Sequence, residues 1–229
     1  MCAAADPSTY LLLPSVTQGE REIDLRWGAG SSGGTAQTVR AAGLGFGYGV
    51  TQRWFTEIAV QYQRAGSAGT QFDVLEWENI VALAEPGEWP VDVGVSVELE
   101  RPHSAAEGPG GRFGILLQKE LGMMQANFNL ILGHHFHSTQ FTTTMLGYQG
   151  QVKYRYRQPF EFGIQAFGYV GTVNRWGSYA NQTHRIGPMV LGKFPMASEQ
   201  ALRYNLGYLI GTTAHSPDRT LRLQLEYEF

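Results

Sequence analysis

The chain has 229 residues, of which 43% are hydrophobic, 12% aromatic and only 16% charged, with a formal net charge of -3. That balance offers no basic surplus for nucleic acid, and no run of about 18 apolar residues is present to cross a membrane as a helix. A membrane β-barrel escapes the second test, because its apolar residues fall at every second position.

Residues 1–19 show no alternation. Met1-Cys2-Ala3-Ala4-Ala5-Asp6 has neither a charged nor an apolar signal region, and its alanines match the small-residue tail of a cleavage site or a cloning remnant. Cys2 is the single cysteine and rules out an internal disulfide. Residues 1–19 are therefore read as a signal-peptide remnant and N-terminal periplasmic segment, and 20–229 as one domain.

From residue 20 onward a period of two takes over. Candidate strands occupy roughly 20–29, 37–50, 53–64, 70–83, 90–101, 110–120, 123–134, 140–157, 159–171, 182–194, 201–212 and 219–229. In the second, Leu44, Phe46 and Tyr48 alternate with Gly43, Gly45, Gly47 and Gly49. That is not the spacing of a nucleotide-binding loop, and no helix follows, so these glycines serve curvature or close packing. In the fifth, Val91, Val93, Val95, Val97 and Leu99 oppose Asp92, Gly94, Ser96, Glu98 and Glu100. In the eighth, Tyr148, Val152, Tyr154 and Tyr156 oppose Gln149, Gln151, Lys153, Arg155 and Arg157. In the last, Leu221, Leu223, Leu225, Tyr227 and Phe229 oppose Arg222, Gln224, Glu226 and Glu228.

Connections after even-numbered segments are mostly short or proline-bearing, such as Thr51-Gln52, Leu121-Gly122 and Gln158-Pro159. The others, at 30–36, 65–69, 102–109, 135–139, 172–181 and 213–218, are generally longer and polar. Short turns at one end and long loops at the other predict an all-β fold: a transmembrane antiparallel up-and-down barrel of about 12 strands. A soluble barrel would turn its apolar parity inwards. Segments long enough to cross a bilayer, with Trp27, Trp54, Tyr62, Trp77, Trp89, Tyr156, Tyr204, Tyr208 and Tyr227 near their ends, favour the inverted, membrane version.

With the apolar parity towards lipid, the other parity lines the interior. Glu22, Asp24, Glu57, Glu76, Glu78, Asp92, Glu98 and Glu100 gather acid on the first, third, fourth and fifth segments, and Glu226 and Glu228 on the twelfth. Lys153, Arg155, Arg157, Arg185, Lys193 and Arg203 make the eighth, tenth and eleventh basic. Such charges either pair across the lumen into a plug or impose a transverse field on a water-filled pore. The second reading makes Glu76, Glu78, Asp92, Glu98, Lys153, Arg155, Arg157, Arg185 and Arg203 the selectivity residues.

Six histidines, His103, His134, His135, His137, His184 and His215, fall in loops or adjoining strand ends. His134, His135 and His137 are candidate ligands for a transition metal, against the plainer reading of solvated rim residues. Ser138, Ser178 and Ser216 lie near histidines in sequence, but no Gly-x-Ser-x-Gly elbow occurs, so no catalytic residue is assigned and no cofactor is expected. Glu76 and Glu78 share a face as paired acids for glycoside hydrolysis would, although adjacent lumen charges explain them more simply.

The terminal run Leu223-Gln224-Leu225-Glu226-Tyr227-Glu228-Phe229 resembles the C-terminal signature of Gram-negative outer-membrane proteins, an alternating strand closed by an aromatic residue. The resemblance implies a multi-pass barrel in the outer membrane of a Gram-negative bacterium. Its partners are then outer-membrane lipids and the barrel-assembly machinery, with Tyr227 and Phe229 as the assembly signal. In style the chain is similar to small, roughly twelve-stranded, porin-like barrels, a class that includes channels for acidic oligosaccharides and nucleosides and enzymes acting on lipids. The expected function is a narrow channel for passive transport of a small hydrophilic solute through a charged lumen. The alternatives are a non-conducting scaffold whose extracellular loops bind a protein or metal-bearing partner, and a lipid-modifying enzyme.

Overall fold

The computed structural model describes residues 6–31, 38–140, 142–196 and 200–229. The strands are β1 (Arg21–Ser31), β2 (Thr38–Gly49), β3 (Trp54–Ala65), β4 (Gln71–Ala82), β5 (Asp92–Pro102), β6 (Gly110–Leu121), β7 (Met124–His135), β8 (Met145–Arg157), β9 (Phe160–Thr172), β10 (Arg175–Trp176), β11 (Thr183–Pro195), β12 (Ala201–Gly211) and β13 (Arg219–Glu228). All but β10 form a closed antiparallel barrel, with β8 joined to β9 and the first strand joined to the last through registers such as Leu25↔Leu225. Closure leaves no sheet edge in the bilayer, where an unpaired backbone group has no water to bond.

The two faces are inverted relative to a soluble protein. Outward residues are apolar and open, among them Ile58, Ile164 and Phe46, whereas Asp24, Asn129, Gln165 and Arg222 inside are almost fully buried. Tyr48, Trp54, Trp89, Tyr156, Phe194 and Phe229 are exposed at the end carrying the short turns, which is the periplasmic end in such folds.

The expected strands are found with two adjustments. The eighth begins at Met145 rather than at residue 140, because its partner β7 extends the ladder only to Gly133↔Met145. The two-residue β10 lies within the expected loop 172–181 and folds back on Thr172 and Gly171. Of the expected connection 30–36, residues 32–36 lie outside the described residues, as do Cys2 and the turn at 197–198.

Residues 6–18 correct the expectation of a periplasmic segment: they lie inside the barrel. Gly19 (φ 82°) reverses the chain at the periplasmic mouth, and its N–H donates to the Gly49 carbonyl at 2.8 Å. Going inwards, the Thr17 carbonyl lies against Gly49, Pro14 against Gly94, and the Pro7 carbonyl against Gly28, positions where any side chain would collide with the segment. The driving force is apolar. Leu12 packs with Ile80, Leu116 and Ile131, flanked by Tyr10, Val16 and Phe55, and burying such surface stabilises by about 25 cal/mol per Å². A run containing Leu11, Leu12 and Leu13 would forfeit that gain in periplasmic water. The segment forms no strand and is held by side chains alone.

The plugged lumen as candidate functional site

Half of the inner wall, β1 to β6, is rich in buried carboxylates, gathered around two arginines. The Arg26 guanidinium pairs with Asp24 and Glu57 and lies 3.9 Å from Glu76. It also stacks over the Tyr10 ring, 3.5 Å from the centroid, while the Tyr10 hydroxyl donates to Glu78 at 3.1 Å. Arg112 pairs with Glu98 at 3.1 Å and with Glu100 at 2.5 Å. Thus β1 and β6 each lend one arginine to the carboxylates of β1, β3, β4 and β5. Paired and hydrogen-bonded burial of this kind is what makes such charges tolerable away from water.

The threaded segment is fastened to both halves. Gln61 Nε2 donates to the Asp6 carboxylate at 3.0 Å, and Arg185 donates to the Asp6 carbonyl at 3.0 Å. Lower down, the Leu12 N–H donates to Gln149 Oε1 at 3.1 Å, and Asn129 Nδ2 donates to the Leu12 carbonyl at 2.9 Å.

At mid-height the rest of the wall is bridged by a row of amides, with its charged pairs nearer the periplasmic end. Asn127 donates to Gln118 at 3.0 Å, Gln151 to Asn127 at 3.4 Å, and Gln165 to Gln151 at 2.7 Å. Arg222 then donates to Gln165 from β13, passing over β11 and β12, whose Met189 and Leu209 are buried. An amide both donates and accepts, so it can continue such a ladder where a carboxylate or an ammonium would end it. Between them, the ladder and Tyr10–Leu12 form a septum across the middle of the barrel.

A cavity lies on each side of this septum. On the periplasmic side a volume of about 400 Å³ is bounded by Leu11, Leu13, Gln151, Lys153, Arg203 and Glu226 among others. On the loop side about 70 Å³ remains between Asp6, Tyr10, Arg112, Tyr169 and Arg185.

The residues singled out for selectivity are therefore divided. Glu76, Glu78 and Glu98 come together around Arg26 and Arg112, while Lys153, Arg155 and Arg203 border the periplasmic cavity. Arg185 belongs to the loop-side cavity. Asp92 accepts the Gly87 N–H at 2.6 Å in a turn, and Arg157 is exposed beside the Tyr156 ring, so neither lines the lumen. The basic side of the wall does not simply face the acidic one, because its bases, Arg185 and Arg222 apart, pair with adjacent acids. Lys153 meets Glu161 at 2.7 Å, Arg155 meets Glu120 at 2.8 Å, and Lys193 and Arg203 both meet Glu228. Asp6, Tyr10, Leu12 and the amide ladder were not singled out from the sequence.

The histidines do not converge. His134 Nδ1 lies 3.1 Å from Thr144 Oγ1, His135 Nδ1 lies 3.4 Å from the Gly108 carbonyl, and His137 occupies an exposed turn with φ 56°. Among the described residues the one group with metal-ligand spacing is Glu76, Glu98 and Glu100, and Arg112 already pairs with two of these. Ser216 bonds the backbone of His184 rather than its ring. Tyr227 and Phe229 stack at 5.6 Å, and Phe229 pairs through its backbone with Arg21 at the barrel seam.

A closed barrel with an apolar exterior and a polar, charged interior is a transmembrane β-barrel of the outer-membrane type. No family model and no curated protein matches the chain. Solved structures do match. An outer membrane channel from Pseudomonas putida F1 superposes with a TM-score of 0.70 at 14% identity, over 96% of this chain and 98% of that one. The NanC porin gives a TM-score of 0.58 at 12% identity, over 90% of this chain and 98% of its own. The KdgM porin gives 0.58 at 10% identity, over 91% and 98%. At such identities the shared property is the fold.

Proposed function

We propose that the protein is a narrow channel in the outer membrane of a Gram-negative bacterium, passing a small hydrophilic solute passively and held closed in this conformation by residues 6–18. The observation that carries this reading is the arrangement of two cavities meeting at a segment that has no backbone ladder to the wall. A segment held only by side chains can leave without breaking the barrel, whereas a fully packed core could not. The amides and paired charges of the periplasmic cavity suit a polar, hydrogen-bonding solute. The description of the fold neighbours as a channel and as porins agrees with this reading, although the fold by itself carries many functions. The terminal Tyr227 and Phe229, side by side on the outer surface, serve in this reading as the signal for the barrel-assembly machinery.

Conductance in planar bilayers tests the proposal. The full chain should stay near baseline with infrequent steps, and a variant lacking residues 6–18, shown to be folded by heat-shifted gel mobility, should give frequent, long-lived steps. If neither protein conducts, the barrel is a scaffold and the loops become the place to look for a partner.

A further inference from the structure

The outer face changes character at the loop end of one half of the barrel. Arg219 opens β13, Arg40 lies near the start of β2, and Arg64 and Arg101 are next to last in β3 and β5. All four point outwards. Leu221, Tyr62 and Leu99, two residues away on the same faces, are open to the exterior, while the intervening Thr220, Ala41 and Glu100 are buried inside. Arg40 and Arg64 are directly opposite each other in the β2–β3 register. Facing cross-strand positions bring Cβ atoms to about 5 Å, and like charges placed there repel.

No carboxylate among the described residues relieves that repulsion. Among the described residues none of the four lies within 4.0 Å of a carboxylate. No aspartate or glutamate faces outwards on β13, β1, β2, β3 or β5, and Asp73 of β4, half-buried at a register shift, forms no ion pair with any of the four. The next row towards mid-membrane includes Tyr62 and Trp27, aromatic side chains of the interfacial kind, which puts the arginines at headgroup depth. The opposite half of the rim carries His134, Tyr148, Tyr179 and His184 instead, with Tyr148 and His184 bonded at 2.9 Å. On that half Arg175 of the short β10 is exposed in the hairpin beyond β9, while the row of four outward arginines at the ends of long strands belongs to the other side of the barrel.

We propose that this stripe docks an outer-leaflet glycolipid through its phosphate groups, with Arg40 and Arg64 as the central clamp and Arg219 and Arg101 as flanks. Guanidinium forks match phosphate oxygens bidentately, and an anion between Arg40 and Arg64 converts their repulsion into a bridge. From β13 to β5 the stripe extends over about 24 Å at the usual strand spacing of about 4.8 Å, too far for a single phosphate and suited to a lipid bearing more than one. The inference rests on the outer-membrane placement but not on conduction, so a barrel that never conducts would still bind.

Native mass spectrometry of the detergent-solubilised full chain, titrated with diphosphoryl lipid A, tests it. Wild-type protein should retain the lipid, and the Arg40→Gln/Arg64→Gln variant should bind about thirtyfold more weakly, the loss expected for two arginines near an anionic surface. The Arg53→Gln/Arg157→Gln variant, which loses the same charge at the periplasmic end, should bind as wild type does. Arg40→Lys/Arg64→Lys, which keeps the charge and loses the forks, should fall between them, and it replaces the glutamine variant if that one lacks heat-shifted mobility. Equal losses in the two glutamine variants would overturn the proposal. So would undiminished binding of fully dephosphorylated lipid, or phosphatidylglycerol binding as tightly as lipid A.

Discussion

The two halves of the interior solve the same problem with different chemistry. From β1 to β6 the wall is charged, and it is cut away by Gly28, Gly49 and Gly94 to receive another piece of the chain. From β7 to β13 the wall closes on itself through Asn127, Gln151, Gln165 and Arg222, tied at one end to Gln118 of β6, and leaves its open volume beneath that ladder. Strand alternation is the same in both. The difference shows that alternation decides which face is polar, whereas the size and reach of the polar side chains decide whether that face is filled by neighbours or awaits an insert.

The largest expected effect separates the halves by removing one charge from each. Arg26→Gln leaves Asp24 and Glu57 buried without their counter-charge and should cost about 3–5 kcal/mol. Arg203→Gln, whose side chain is 40% exposed, should cost about 0–1 kcal/mol after solvent screening. Urea unfolding in detergent measures both, and equal shifts would mean that the charged half holds no special burden. A middle-sized effect belongs to the ladder. Gln165→Leu strands Arg222 and Gln151 and should cost about 1–3 kcal/mol without raising conductance, since the insert stays in place. A rise in open probability would show instead that the ladder itself is the gate. The smallest concerns the insert: Tyr10→Phe loses the bond to Glu78, worth about 0.5–1.5 kcal/mol, and should make openings more frequent with little change in the unfolding midpoint. Unaltered gating would place the latch elsewhere on the segment.

The barrel was legible because a period of two survives in nearly every strand, from Leu44, Phe46 and Tyr48 to Leu223 and Leu225. The late start of β8 was not, since Thr142, Thr143 and Thr144 have β-branched side chains and only the reach of the partner ladder ends the strand. The interior was half legible. Parity put Glu57, Glu76 and Arg26 inside but said nothing about which of them meet, because pairing depends on side-chain length and height in the barrel rather than on sequence spacing. The inserted segment left two signals. Leu11, Leu12 and Leu13 form an apolar run between Pro7 and Pro14 with no helical or strand period, and the inward Gly94 leaves a gap that some other group has to fill. Neither signal alone says that one fills the other.

The reversal at Gly19 also constrains the order of assembly. It lays residues 6–18 across the lumen, with Pro7 against β1 beside the seam and Leu12 against β6 and β7 opposite it, and the seam is sealed by registers running from Glu22↔Glu228 to Gly30↔Thr220. While that seam is open the segment can settle sideways against the growing wall, in the manner of a thread laid in a split tube. Once β13 is joined to β1 the only remaining motion is lengthwise, through a mouth whose width the strand number fixes. The final strand of the chain therefore turns a three-dimensional search into sliding along a single axis, and the barrel's first segment is enclosed by its last.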